Sequence, residues 1–160
     1  SILAKIGNAI CWIFAPLGWG NWQATVASIT GLVAKENIVG TLGVLYSGGA
    51  GTVYDAIAAA FTGITGYSFL VFNLLCAPCF AAIGAIKREM NSPKWTWFAI
   101  GYQCGFAYAV ALMINQFGGL FTGNANIIGV IAAVIVLAAI IYMLVRPYKE
   151  ATKLTTKVEM

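Results

Sequence analysis

The amino-acid sequence predicts an all-α fold, a polytopic transmembrane helical bundle with a broken or re-entrant N-terminal helix. Three observations predict it. Of the 160 residues, 61% are apolar and only 9% are charged, whereas soluble domains carry roughly 25% charged residues. The charges are also clustered, so that residues 56–86 and 95–145 contain none. Each of these gaps can hold at least one membrane span of about 20 residues.

The first segment, about residues 6–22, is predicted to be a re-entrant or broken helix. The apolar run 6–14 is too short to cross a bilayer. It is followed by Pro16, Gly18 and Gly20, residues that interrupt helices. Membranes tolerate such an interruption only where the freed backbone groups face protein or a water-filled cavity.

The second segment, about residues 24–46, has spanning length but carries Lys35 and Glu36 near its middle. An ionisable group at mid-depth costs about 2.5–3.5 kcal/mol, and such groups usually face an ion path, a bundle interior or a partner charge. The pair therefore predicts a role in gating or ion passage. Two structural alternatives remain: the pair forms salt bridges to neighbouring helices, or the helix breaks at Gly31 and forms a shallow hairpin.

The third segment, about residues 67–86, contains Asn73, Cys76, Pro78 and Cys79. Proline lacks an amide hydrogen and clashes with the carbonyl four residues earlier, so the helix should kink and leave carbonyls near Leu74 free to bind a cation. Thiols three residues apart lie near each other on a helix and suit soft metals. The alternative is that these cysteines, like Cys11 and Cys104, only pack. The chain has only one such pair of cysteines and no His to complete a closed tetrahedral site, which argues against zinc.

The last two spans are predicted at about residues 95–117 and 127–145, joined by the uncharged turn 118–126. Gly101 and Gly105 form a small-xxx-small pattern that lets helices pack closely. Seven of the nine basic residues lie in the loop 87–94 and in the tail after residue 145, namely Lys87, Arg88, Lys94, Arg146, Lys149, Lys153 and Lys157. By the positive-inside rule, this loop and the C-terminus are expected to be cytoplasmic, with residues 47–66 and 118–126 on the far side.

Several function classes are excluded or disfavoured. The hydrophobicity excludes a disordered chain, and a net charge of only +4 is too small for a nucleic-acid binder. The sequence has no phosphate-binding loop, no His-based metal motif and no nucleophile elbow, so the chain is not expected to be an enzyme. Two alternatives to ion passage are a structural or oligomerisation module that packs through Gly101 and Gly105, and a redox protein that uses Cys76 and Cys79.

Seven stretches in the first three quarters of the chain occur in a characteristic order, namely residues 3–7, 15–18, 21–25, 31–36, 40–42, 72–79 and 87–89. On these stretches, which cover about residues 2–117, the sequence resembles the C-terminal membrane region of the FeoB family of bacterial ferrous iron transporters. The resemblance implies that residues 1–117 form the second of two Gate-type repeats. Residues 118–160, which match only in kind, would be the final transmembrane helix and a basic cytoplasmic tail.

The resemblance also implies a function. The chain would be the C-terminal part of an Fe²⁺ permease of the bacterial cytoplasmic membrane, with Fe²⁺ as the transported substrate and no tightly bound cofactor. Cys79 would contact iron or gate the path, with Cys76 a weaker ligand, and Lys35, Glu36, Asn73 and Pro78 would belong to the same path. The expected partners are the GTPase domain and first Gate repeat of the same protein, membrane lipid and a second copy, but no nucleic acid.

Overall fold

The computed structural model describes residues 2–48, 52–123 and 126–147. These residues form eight α-helices and one 3₁₀ helix and contain no strand, which confirms the predicted all-α class. In chain order the elements are α1 Ile2–Ile10, the 3₁₀ helix Cys11–Leu17, α2 Trp22–Gly31, α3 Asn37–Tyr46, α4 Val53–Ala60, α5 Gly63–Leu75, α6 Phe80–Met90, α7 Pro93–Thr122 and α8 Ile127–Val145.

Two of these helices, α7 and α8, are long and apolar enough to cross a membrane. The number rises to four if each of two bent pairs is counted as one span: α1 and the 3₁₀ helix with α2, and α4 with α5, each bent by 95°. Helix α8 has the predicted bounds. Helix α7 exceeds its prediction at both ends, because Pro93 occupies its first turn and the helix continues through Gly118 and Gly119 to Thr122.

The predicted break after residue 14 is present and lies at the centre of the fold. Gly18 adopts a left-handed conformation (φ 89°), and the chain then turns into α2, whose N-cap Asn21 accepts a hydrogen bond from the Ala24 amide. Trp19, only 1% exposed, stacks on Phe14 with ring centroids 4.6 Å apart. The turn therefore carries one of the largest side chains of the core.

The carbonyls freed by this break are satisfied by side chains of α7. The Tyr108 hydroxyl donates to the Ile13 carbonyl (2.8 Å), and the amides of Asn115 and Gln116 both donate to the Pro16 carbonyl (3.1 and 2.9 Å). An interrupted helix inside a membrane needs such partners, because lipid offers none. The local sequence breaks the helix, and polar groups on a distant helix make that break tolerable.

The predicted helices 24–46 and 67–86 are each divided in two, which corrects their predicted continuity. The first is interrupted at residues 32–36, between α2 and α3, and the second at residues 76–79, between α5 and α6. Pro78 explains the second break, because proline inside a helix removes a hydrogen bond and clashes with the preceding turn. The first break lies just after Gly31, as the hairpin alternative had it, and Thr30 and Thr41 hydrogen-bond across it (3.0 Å).

Helix α7 is the scaffold of the fold, since α5, α6, α8 and the 3₁₀ helix all pack against it. The buried core lies mainly between α2, α5 and α7, with Phe69, Phe72 and Ala111 among its members. Gly101 and Gly105 are exposed, and no described residue lies against either. The basic residues Lys149, Lys153 and Lys157 lie outside the described residues.

Candidate functional site

The break between α2 and α3, at residues 32–36, lies beside the break between α5 and α6, at residues 76–79. The amide of Phe80, the first residue of α6, donates a hydrogen bond to the carbonyl of Leu32, which follows the end of α2 (3.0 Å). We call this region the crossing and define it as residues 32–36 together with residues 73–80. Each broken helix thus supplies a backbone partner to the other, and four helix ends, from α2, α3, α5 and α6, meet in one place.

Lys35 makes the second connection at the crossing. Its ammonium nitrogen Nζ donates to the carbonyls of Asn73 and Leu74, each at 3.0 Å. Leu74 is left without its usual helical partner because that partner would be the amide of residue 78, which is proline. The negative end of the α5 dipole therefore meets a positive charge, a favourable arrangement. The carbonyls that the sequence predicted to be free for a cation are held by the cationic end of a side chain.

Asn73 contributes more than a carbonyl to the crossing. Its side chain is 9% exposed, and its Nδ2 donates to the Phe69 carbonyl one turn earlier (2.8 Å). The side chain is thereby fixed along α5, while its backbone carbonyl faces Lys35. The structure thus brings two of the predicted site residues, Lys35 and Asn73, into direct contact.

Glu36 and Cys79 stand at the starts of the two helices that leave the crossing. Glu36 is exposed, occupies the N-cap position of α3 and makes no side-chain hydrogen bond or ion pair with any described residue. Cys79 is half-buried at the N-cap position of α6, one residue after the half-buried Pro78. Both residues border the crossing in sequence, and their part in ion passage stays a prediction.

Cys76 lies next to a cysteine that the sequence interpretation assigned to packing. Its Sγ is 3.7 Å from the Sγ of Cys104 on α7, and both side chains are half-buried. Two adjacent sulfurs can share a soft metal ion or be oxidised to a disulfide. Among the described residues, no cluster of three or more His, Cys, Asp or Glu side chains could hold a metal. Cys104 lies 28 residues from Cys76 on another helix, so no local spacing could have revealed the pair.

A mainly apolar cavity of about 390 Å³ adjoins the crossing. Its lining comes from the crossing, α6 and α7 and comprises Leu32, Ala77, Phe80, Ile83, Lys87, Pro93, Thr96, Trp97, Ile100 and Cys104. Only one charged side chain, Lys87, takes part. The cavity extends from Cys104 to Leu32 at the break between α2 and α3, and neither Glu36 nor Cys79 lines it.

A second, more polar cavity of about 460 Å³ lies at the N-terminal break. Its polar lining includes Thr62, Thr65, Asn115, Gln116, Thr122 and Asn126. The cavity adjoins the start of α5, whereas the crossing adjoins its end, so the two are about 18 Å apart along the helix at 1.5 Å per residue. Asn115 and Gln116 were not among the predicted site residues. Two adjacent amide side chains in a long uncharged span could have indicated them as candidates.

Comparison with known proteins defines the class. Residues 1–93 match the family described as "Gate: Nucleoside recognition". This match covers more than half of the chain, and the crossed, interrupted helices lie within it. The chain is therefore a helical membrane region of the Gate type. No solved structure matches it.

Relatives identify the family more narrowly. A protein of Methanocaldococcus jannaschii named "Fe(2+) transporter FeoB" is 40% identical over 120 residues, which are 75% of this chain and 18% of that protein. A Staphylococcus aureus protein of the same name is 36% identical over 121 residues, 76% of this chain and 18% of that protein. One from Salmonella typhimurium is 28% identical in an alignment 200 positions long, which covers 91% of this chain and 26% of that protein. The chain belongs to the FeoB family and spans about a fifth of the length of the first two relatives.

Proposed function

We propose that this chain forms part of the path by which Fe²⁺ crosses a membrane, with the crossing of its two broken helices on that path. The observation that carries the proposal is the meeting of four helix ends with a cationic group already bound to the carbonyls of Asn73 and Leu74. Transporters commonly bind ions where interrupted helices expose carbonyls near the bilayer centre. The names of the relatives supply the ion.

The proposed path runs between the polar cavity at the N-terminal break and the crossing. The oxygen-bearing side chains around that cavity suit a hydrated cation, and Cys79 and Cys76 are soft ligands at the other end of α5. Glu36, exposed beside the crossing, would attract the cation by its charge, and Pro78 keeps the Leu74 carbonyl free of an internal partner. The roughly 18 Å between the two ends is more than half of a bilayer's hydrocarbon core.

The remaining parts of the transporter are assigned to the rest of the protein. We infer that a GTPase domain and a first Gate repeat, both outside this chain, regulate and complete the path, and that the chain itself catalyses no reaction. The loop 87–94 and the C-terminus face the cytoplasm in this proposal, because the basic residues collect there. The membrane would be the cytoplasmic membrane of the cell.

The test is uptake of radioactive iron by cells that express the complete gene product at matched membrane abundance. Cys79→Ser should lower the uptake rate by about tenfold, because a hydroxyl is a much weaker ligand for a soft transition metal than a thiolate. Cys11→Ser is the matched control, since Cys11 lies outside the crossing and its thiol donates a hydrogen bond to the Asn8 carbonyl. Equal uptake in the two variants would remove Cys79 from the path.

A second candidate is a structural module through which copies of the protein associate. It is favoured by the exposure of Gly101 and Gly105, which no described helix covers. This reading expects Gly101→Leu to disrupt oligomers and Cys79→Ser to leave uptake unchanged. The redox alternative built on Cys76 and Cys79 has less support, because the thiol found beside Cys76 is that of Cys104.

A further inference from the structure

We propose that the Lys35 ammonium is a tethered cation that occupies the carbonyl site at the end of α5, and that a permeating divalent cation must displace it. This inference rests on the proposed function and adds to it a specificity-determining residue. It assigns Lys35 the role of a built-in competitor, so that only a cation able to replace an ammonium at the carbonyls of Asn73 and Leu74 gains access to the crossing.

The geometry has the features of a cation site. The two acceptors are successive backbone carbonyls at the negative end of a helix, and Nζ lies 3.0 Å from both. Two features besides Lys35 support this arrangement: Pro78 deprives the Leu74 carbonyl of a helical amide, and the Phe80–Leu32 hydrogen bond joins the two breaks. Carbonyl oxygens in such an arrangement bind metal cations as well as ammonium groups.

The site is open on one side among the described residues. The hydrogen bond from Lys35 to the Leu74 carbonyl is exposed, the one to the Asn73 carbonyl is partly buried, and Leu74 is 73% exposed. Lys35 stands in the five-residue link between α2 and α3, is half-buried, and forms no ion pair with any described residue. Its long flexible side chain can leave the carbonyls without breaking a salt bridge.

The first experiment leaves the sequence unchanged. The complete gene product, reconstituted in liposomes under anaerobic conditions, is treated briefly with acetic anhydride, and acetylation of individual lysines is measured by mass spectrometry. Saturating Fe²⁺ should raise the rate of Lys35 acetylation by up to about tenfold, because the side chain is no longer held by its two charge-assisted hydrogen bonds to the carbonyls. Mg²⁺, which gives up its water reluctantly, should change it little. Lys94, exposed at the start of α7, is the internal reference.

The second experiment removes the tethered charge. Lys35→Met should lower the Fe²⁺ concentration for half-maximal uptake by about tenfold and admit Mn²⁺ more readily, because the competitor is gone. Lys35→Arg keeps a competing cation at the carbonyls, so its half-maximal concentration should stay well above that of Lys35→Met. Lys94→Met, the matched surface control, should stay near the wild-type value.

The outcomes separate the two levels of the proposal. If the wild-type protein takes up iron while Fe²⁺ leaves Lys35 acetylation unchanged, the proposal that Fe²⁺ displaces the Lys35 ammonium is wrong. The proposal that iron passes through the crossing is then unaffected. Loss of uptake in Lys35→Met but not in Lys35→Arg would likewise show that Lys35 is required to hold the crossing together and does not compete with the permeating cation. If the wild-type protein takes up no iron, the proposed function falls and this inference falls with it. Should Lys35→Met not reach the membrane, the acetylation experiment decides alone.

Discussion

At the scale of single residues, Lys35 connects the two halves of the crossing, because its Nζ donates to the carbonyls of Asn73 and Leu74. Lys35 was recognisable as a functional candidate because a charge in an apolar segment needs a compensating environment. Its acceptors lie 38 and 39 residues away in sequence, and no pattern of spacing connects them. The same holds for Cys76 and Cys104, which two different helices bring together.

Gly18 provides a prediction about the N-terminal break. Its φ of 89° disfavours any side chain, and a Cβ there would collide with the Asn115 amide. We expect Gly18→Ala to destabilise the protein by about 2 kcal/mol or more, from the left-handed conformation and the overpacking. The measurement is the temperature at which the detergent-solubilised protein loses its monodisperse peak in size-exclusion chromatography.

Gly43→Ala is the control for this substitution. Gly43 lies inside α3, and no atom lies near the position of an added Cβ. Alanine in a helix should be neutral or stabilise it by about 0.5–1 kcal/mol. Equal melting behaviour of the two variants would show that the turn at Gly18 is not as tight as described.

The thiol pair gives a second prediction at this scale. With the sulfurs of Cys76 and Cys104 3.7 Å apart, a mild oxidant should link them in high yield. Mass spectrometry of proteolytic fragments would identify the bridge, and Cys11, on the N-terminal segment, should stay unlinked. A dominant bridge between Cys76 and Cys79 would instead revive the redox reading of that motif.

At the scale of elements, the prediction succeeded where a local residue determines the outcome. Pro78 and the Pro16–Gly20 stretch indicated breaks, and the uninterrupted apolar run 127–145 gave a helix with the observed bounds. The break at residues 32–36 was foreseen only as an alternative, because Gly31 is tolerated inside helices and the contacts that stabilise the break come from α5 and α6. The length of α7 was underestimated because Gly118 and Gly119 were read as a turn, whereas Gly118 packs against Ile64 of α5.

Pro78→Ala tests whether the break between α5 and α6 is needed. Alanine restores the amide that could bond the Leu74 carbonyl and removes a clash of about 3 kcal/mol, so the helix can close across the crossing. We expect iron uptake to fall about tenfold at unchanged membrane abundance. Pro93→Ala is the matched control, because Pro93 begins α7, where proline is tolerated. A Pro78→Ala variant as active as Pro93→Ala would mean that the break serves no transport function.

At the scale of the whole molecule, the scarcity of charged residues predicted a transmembrane helical bundle. The packing shows which helices are buried in that bundle and which are exposed. Helix α7 supports the bundle on its buried positions, while α8 is exposed along most of its length, with only Ala133 buried. Four polar side chains, those of Tyr108, Asn115, Gln116 and Lys35, bind backbone carbonyls at the breaks. The two interrupted regions therefore depend on long-range polar contacts that sequence periodicity does not reveal.

The proposal that iron passes through the crossing is tested most directly by protection of Cys79 from alkylation. The complete gene product, reconstituted without oxygen, is treated with N-ethylmaleimide in the presence of Fe²⁺ or of Mg²⁺, and modification of Cys79 and Cys11 is followed over time. Fe²⁺ bound at the crossing should slow modification of Cys79 about tenfold and leave Cys11 unaffected, whereas Mg²⁺ should protect neither. Modification of Cys79 at the same rate with and without Fe²⁺, in a preparation that takes up iron, would contradict a path through the crossing.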